Sequence, residues 1–339
     1  MPSLSDSWSV GTLELHNRIV VSSMCQYMAQ GDGRVTDWHM VHYGSLALGG
    51  AALTMVEASA VEARGFISTR DLGLYDSQQV EGLSRIVSFA HQHGTKMGIQ
   101  LAHAGRKADV PEPIVAPSAL AFNDRYQTPR ALQEGEIAEI VERFAAAAKR
   151  AVEAGFDVLE IHAAHGYLLH QFLSPFSNKR EDRYGGDFEG RIRLTLEVIA
   201  AVRATVSSSV PVGVRISATD YHADGYDGHE AARFSKRFAD AGAAFIDVSS
   251  GGNTPVPPHV YPGYQVPLAA LVKAQVSVPV IAVGMLDDPL LAEHVIQSGQ
   301  ADAVAIARGF LRDPHWGHKA LQTLGHPVTP PTPYARAYM

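Results

Sequence analysis

Short β-branched runs and amphipathic helical stretches alternate along this chain, and that order restricts the fold more than any other feature. Strand patterns are read at Arg18–Met24, Ala52–Ala58, Lys96–Ala102, Val158–His162, Val212–Ser217, Phe245–Ser250, Val278–Gly284 and Ala303–Ala307. Helical patterns lie between them and after the last, at His39–Gly49, Gln79–His93, Glu136–Ala154, Phe188–Val206, His229–Ala241, Leu268–Gln275, Pro289–Ser298 and Pro314–Leu324. The clearest is Glu136–Ala154, where Ile137, Ile140, Val141, Phe144, Ala148, Ala151 and Val152 recur at helical spacing. Ala154-Gly155 and Ala241-Gly242 read as helix stops. Eight strand–helix units predict an α/β fold of the (β/α)8 barrel type rather than a doubly wound sheet. No Gly-x-Gly-x-x-Gly follows the first strand, which weighs against a dinucleotide-binding sheet. The expected organisation is one barrel domain over 1–326 with active-face loop insertions, then a C-terminal tail over 327–339.

Composition narrows the class. A chain of 339 residues is long for one domain but ordinary for a barrel with insertions, and 46% hydrophobic against 19% charged content can bury a large core. The net charge is −7 with no basic block, so neither nucleic acid nor an anionic membrane surface is an expected partner. No apolar run reaches spanning length, and Met1–Val10 lacks a signal-peptide core, so a soluble, cytoplasmic protein is expected. The single cysteine, Cys25, excludes an internal disulfide and a self-contained iron–sulfur cluster, which needs about four thiolates.

Barrel chemistry sits where strands end, and the predicted ends here carry polar residues. The first gives Ser22-Ser23-Met24-Cys25-Gln26-Tyr27, the third Gln100, His103, Arg106 and Lys107, and the fifth Arg215. The sixth gives Ser249-Ser250-Gly251-Gly252, the seventh Gly284-Met285 and the eighth Arg308-Gly309; glycines there suit close backbone approach to a phosphate. The fourth strand ends in E-I-H-A-A-H-G-Y, Glu160–Tyr167. Two imidazoles and a phenol on one turn can hold a carbonyl oxygen while charge builds on it and deliver a proton nearby. His162 and His165, at i and i+3, are also a reasonable metal chelate, although no third ligand of obvious spacing accompanies them. Arg215 alone reads as an interior ion pair with Glu160 or Asp247, Gln100 as a core amide, and Cys25 as a small buried hydrophobe. The Pro-rich loop Ala104–Gln133 is the longest interruption, and follows the third strand as either a substrate-side lid or an inert excursion.

Several long, ordered motifs resemble the old yellow enzyme family of FMN-dependent ene-reductases, in particular its bacterial thermophilic-like subclass. They are N-R-I-V-V-S-S-M-C-Q-Y (Asn17–Tyr27), W-H-M-V-H-Y (Trp38–Tyr43), V-E-A-S-A-V (Val56–Val61), I-Q-L-A-H-A-G-R-K-A (Ile99–Ala108) and A-P-S-A-L-A-F (Ala116–Phe122). E-I-H-A-A-H-G-Y-L-L-H-Q-F-L-S-P (Glu160–Pro175), S-N-K-R-E-D-R-Y-G-G (Ser177–Gly186) and A-R-G-F-L-R-D-P (Ala307–Pro314) complete them, and together they span nearly the whole chain. Ser23 stands where relatives often have proline, Ala307 where glycine is common, and Cys25 where other branches carry threonine.

The resemblance implies a tightly bound, non-covalent FMN and NAD(P)H as reductant, NADPH before NADH. Ser23, Met24, Cys25 and Ala58 are then expected along the isoalloxazine, Gln100 at its pyrimidine edge, and Arg215 where reduced flavin holds negative charge. Gly251, Gly252, Gly284, Met285, Ala307 and Arg308 are expected around the ribityl phosphate. His162 and His165 are expected on the substrate oxygen, Tyr167 as proton donor and Tyr27 against the substrate. The implied reaction is ping-pong: NAD(P)H reduces FMN, then flavin N5 passes hydride to the β-carbon of an activated alkene and Tyr167 protonates the α-carbon. The resemblance also implies a homodimer or homotetramer in which Arg336 of the tail enters a neighbour's active site. Competing readings are a relative with extra redox centres, a metal-dependent hydrolase or aldolase using His162 and His165, and a flavin redox sensor built around Cys25.

Overall fold

The computed structural model describes residues 1–338. Eight parallel strands close a barrel: β1 (Ile19–Val21), β2 (Leu53–Ala60), β3 (Lys96–Ala102), β4 (Val158–Ala163), β5 (Val212–Ser217), β6 (Ile246–Ser249), β7 (Val280–Ala282) and β8 (Ala303–Ile306). They pair in chain order, and β8 returns to β1 through Val304↔Ile19. Every strand residue except Lys96 is buried, which is why the runs read as continuous rather than alternating. Eight helices wrap them: α1 (Asp37–Ala47), α2 (Val80–Gln92), α3 (Glu134–Glu153), α4 (Phe188–Thr205), α5 (Gly228–Asp240), α6 (Val266–Lys273), α7 (Pro289–Gln297) and α8 (Trp316–Thr323). Asp187, Asp227 and Asp288 cap α4, α5 and α7 by accepting first-turn N–H groups.

The (β/α)8 expectation therefore holds, with shifted edges. The first strand stops at Val21, before Ser22–Met24, and the second runs on to Ala60. Three features were not legible as periodicity. An antiparallel hairpin, Trp8–Val10 with Leu13–Leu15, closes the barrel's lower end, and Trp8, Val10 and Leu15 join Val20, Met55, Val158, Phe245 and Ile281 in one apolar cluster. Two short helices, Leu168–Leu173 and Arg308–Arg312, follow β4 and β8 directly. The long third loop is tied by a 3-10 turn at Gly105–Lys107 and by pairing of Val115–Ala116 with Arg130–Ala131.

Register sets the polar interior. Ala58 pairs with Gln100 beyond a bulge at Val56/Ala58, and Gln100 pairs with Glu160. His162 pairs with Arg215, and Arg215 with Asp247. A period-two strand then carries these side chains to one face of the sheet.

No helix among the described residues is long and apolar enough to cross a membrane. The tail ends on its own chain, with Thr332–Tyr338 in a 3-10 helix and no residue buried. The Tyr334 and Tyr338 rings lie 5.4 and 5.5 Å from those of His315 and His318. The stretch before Thr332 lacks regular structure.

Candidate active site

The β4 end brings His162, His165 and Tyr167 together. The His162 and His165 rings lie 5.1 Å apart at 89°, and the His162 and Tyr167 rings 5.0 Å apart at 85°. His162 is the last polar residue of the strand; His165, at φ 58°, and Gly166, at φ 74°, then turn the chain sharply into Leu168–Leu173. The backbone N–H of Ala164 donates to His162 Nδ1 at 3.2 Å, so Nε2 carries the proton and is the donor. His165 Nε2 lies 2.8 Å from Ser249 Oγ. Gln265 Oε1 accepts from Ser250 Oγ at 2.5 Å and from Ser249 Oγ at 3.2 Å. Ser249 Oγ thus stands between His165 Nε2 and Gln265 Oε1, and the neutral His165 ring carries its proton on one of its two nitrogens. Burial, then the Arg215 charge, holds both histidines well below their ordinary pKa, and burial lifts the Tyr167 phenol well above its own. At neutral pH the turn presents neutral imidazoles and a protonated phenol.

Below the turn, Gln100 Nε2 donates to Glu160 Oε1 at 2.7 Å, and Arg215 Nε stands 3.5 Å from Asp247 Oδ2. The ion pair read from sequence is present with Asp247. Arg215 also donates to the hydroxyls of Ser22 and Ser23, at 3.0 and 3.3 Å, so it reaches the loop after β1. Burial raises both Glu160 and Asp247, so together they carry less negative charge beside Arg215 than two ionised carboxylates would. Arg215 Nε and Asp247 Oδ1 are buried without a hydrogen-bond partner among the described residues.

The loop after β1 carries Ser23, Met24, Cys25 and Tyr27 to the same mouth, with Tyr27 at φ 55°. Glu57, buried at the β2 bulge, accepts the Gln26 N–H at 2.7 Å and the Tyr43 O–H at 3.1 Å. Its own burial pushes it up to about 8. Burial, then Glu57 and Asp71, raises the Cys25 thiol, which stays protonated and is a poor nucleophile.

Ser249, Gln265, Gly284, Met285, Ala307, Arg308 and Gly309 border a cavity of ≈ 150 Å³ at the ends of β6 to β8. Gly284, at φ 129°, lies against Gln265, where a Cβ would sit 3.0 Å from Nε2. Arg308 is exposed beside the cavity and pairs with no carboxylate among the described residues. A compact hollow with open backbone and a free guanidinium suits a phosphate. The buried Arg215 guanidinium, the orphaned polar atoms and the Gln100 amide suit the electron-accepting edge of a flavin. The residues present therefore fit FMN. Gly251 and Gly252 do not line the cavity; Gly252 packs on the β4 turn, where its Cβ would meet His165 Cα at 2.8 Å. Arg336 lies with the tail, and the tail's Thr329–Thr332 border a hollow with His16, Gly50 and Thr95, at the opposite strand ends from the histidines.

Sequence reading left Lys107, His170, Glu57 and Asp220 without roles. The signal was present for one: His170, beside Gln171, is polar inside the otherwise apolar Leu168–Leu173. No group of three His, Cys, Asp or Glu side chains is arranged to hold a metal ion among the described residues.

Comparison with known proteins agrees with this geometry. The model of the NADH:flavin oxidoreductase / NADH oxidase family matches residues 6–326. An NADPH dehydrogenase of Geobacillus sp. (strain WCH70) is 44% identical over 336 residues, covering 99% of this chain and 98% of that protein. An NADPH dehydrogenase of Listeria innocua is 45% identical over 339 residues, covering all of both. Morphinone reductase in complex with tetrahydroNAD superposes with a TM-score of 0.82 at 27% identity, over 98% of this chain and 93% of that one. The chain belongs to the NADH:flavin oxidoreductase / NADH oxidase family, as an FMN- and NADPH-dependent oxidoreductase of the old yellow enzyme kind.

Proposed function

We propose that the chain is an ene-reductase acting on α,β-unsaturated carbonyl or nitro compounds. The observation that carries this reading is the perpendicular set of His162, His165 and Tyr167 on one turn, two neutral N–H donors beside a protonated phenol. Bound FMN, once reduced by NADPH, supplies the hydride. It is held by the loop Ser23–Cys25, Ala58, Gln100 and Arg215, and by Gly284, Met285, Ala307 and Arg308 at the phosphate. His162 Nε2–H and a ring N–H of His165 hold the substrate oxygen. Enolate charge grows there only in the transition state, so each donor accelerates reaction by about 10²–10³ rather than merely tightening binding. Tyr167 gives its proton to the α-carbon, and Tyr27 borders the substrate.

A partner subunit completes the site in this reading. An apolar hollow of ≈ 260 Å³ beside the loop after β1 is bordered by Gln26, Trp38, Val41, Phe310 and Leu311, of which Trp38, Val41 and Leu311 are exposed. A homodimer or larger homo-oligomer covers that surface and brings Arg336 of one copy to the other's substrate pocket.

The test is anaerobic. NADPH should bleach the flavin absorbance, and cyclohexenone should restore it with formation of the saturated ketone. Flavin that NADPH reduces but only oxygen reoxidises would rule out this substrate class.

A further inference from the structure

The sharp turn that carries the two histidines is specified by side chains. His165 N–H donates to Ser217 Oγ at 2.9 Å, and His165 C=O accepts from Lys107 Nζ at 2.9 Å. Gly166 N–H donates to His170 Nδ1 at 2.9 Å, and Gly166 C=O accepts from Gln171 Nε2 at 2.7 Å. Two consecutive residues with positive φ thus hand all four backbone polar groups to side chains. His165 is the costly member, because a residue with a Cβ occupies the left-handed region only where its surroundings impose it.

One peptide unit is gripped at both ends. The His165 C=O and the Gly166 N–H belong to the same plane. Lys107 can only donate, and it also holds Gly252 O, at 3.1 Å. His170 can accept at Nδ1 only while its proton is on Nε2. That tautomer is set on the far side of the ring, where His170 Nε2 donates to Asp220 Oδ1 at 2.9 Å. Ser174 Oγ donates to Asp220 Oδ2 at 2.6 Å. Tyr226 gives its own proton to Ser217 O, at 2.6 Å, so its oxygen faces the same Nε2–H, 2.8 Å away. His170, Ser174 and Asp220 are fully buried. Burial alone would raise the Asp220 carboxyl, but the attraction of His170, with the His170 and Ser174 bonds, outweighs it and holds Asp220 below its ordinary value. A flipped peptide would turn its N–H on an ammonium and its carbonyl on a lone pair.

We infer that His170, oriented by Asp220, and Lys107 are positioning residues that lock the His165–Gly166 peptide in the one orientation that presents His165 and Tyr167 to the substrate. This rests on the reading of His162 and His165 as the oxygen-binding pair. It adds that the donor geometry is maintained in part by a His170–Asp220 pair that is fully buried behind the turn.

The chemistry offers a matched pair of variants. An asparagine amide oxygen falls where His170 Nδ1 is and keeps the acceptor; phenylalanine keeps the bulk and loses it. Both lose the bond to Asp220. In FMN-loaded enzyme, His170→Phe should slow flavin reoxidation by cyclohexenone about 10²-fold, the usual cost of an ångström of misplacement, and weaken phenol binding at least about tenfold. His170→Asn should stay within about threefold of the parent on both measures, and FMN content should be unchanged in each. Equal behaviour of the two variants, whether both normal or both impaired, overturns the lock, since a purely structural role would not distinguish them. If His170→Phe does not fold, the ¹⁵N resonances of His170 in the parent decide: a proton on Nδ1 overturns the inference, and one on Nε2 alone supports it. His162→Ala separates the two levels. Parent-like phenol binding by His162→Ala defeats the site reading and the lock with it. Loss there with normal binding by His170→Phe defeats only the lock.

Discussion

The loops after β4 and after β1 face each other across one barrel mouth, and they are finished to different degrees. Both hold a non-glycine residue at positive φ, His165 at 58° and Tyr27 at 55°. The β4 turn is gripped by Ser217, Lys107, His170 and Gln171, and its rings are set within about 5 Å of one another. The β1 loop is anchored at its start by Arg215, which donates to Ser22 and Ser23, and then by Gln26, whose N–H meets Glu57 and whose amide oxygen meets Trp38. Beyond that anchor Tyr27 is 41% exposed and Trp38 is 49% exposed. One side of the site is built within a single chain, and the other presents apolar surface that a second chain can cover. Strain at functional residues persists only where packing over-determines it. The β4 turn should therefore carry the rate and the β1 side the selectivity.

The largest effect belongs to the finished side. Tyr167→Phe removes the proton donor and leaves the His162–His165 pair in place. Reoxidation by an enone should slow by about 10²–10⁴, the range of a positioned general acid, while flavin reduction by NADPH stays within a few-fold. Stopped-flow measurement of the two half-reactions separates these outcomes. An unchanged oxidative rate would take Tyr167 out of the mechanism and would break the division between the two loops.

The same division explains what was legible in the sequence. Strand–helix alternation carried the barrel, because buried parallel strands and amphipathic helices follow from local periodicity. His162, His165 and Tyr167 stood out because polar groups of one chemical purpose crowd a strand end. Their supports did not. Asp220 and Ser217 belong to β5 and its loop, about fifty residues away, and meet the turn only after the barrel closes. Gly251 and Gly252 show how one residue type can carry two signals. Glycines at a strand end suggested a phosphate, yet Gly252 is small because His165 and Gly166 pack on it. The N-terminal hairpin escaped because three-residue strands are too short to show a period.

A middling effect is expected on the unfinished side. Deleting 335–339 removes Arg336, whose planar fork can bond and stack at once. If a neighbour's Arg336 completes the pocket, the enone KM should rise about tenfold, the size of one charge-assisted hydrogen bond of roughly 1.5 kcal/mol. The assembly should also become smaller by sedimentation, and FMN should remain bound. A parent that sediments as a monomer at micromolar concentration, or a truncation with the parent's kinetics and size, would show that the β1 side is complete without a partner.

The smallest effect concerns Cys25, which lies in the β1 loop but behaves as part of the cofactor's surroundings. Burial and the nearby Glu57 and Asp71 carboxyls raise its thiol, so it offers sulfur polarity and no nucleophile at neutral pH. Cys25→Ala should keep turnover within a few-fold. It should move the flavin midpoint potential by on the order of 30 mV, the two-electron equivalent of about 1.4 kcal/mol. Iodoacetamide should alkylate the parent at pH 7 more slowly than a free thiol. Fast alkylation, or complete loss of turnover in Cys25→Ala with normal FMN content, would instead make the thiol a reacting group. The β1 loop would then share the chemistry assigned here to the β4 turn, and the contrast between finished and unfinished sides would no longer separate rate from selectivity.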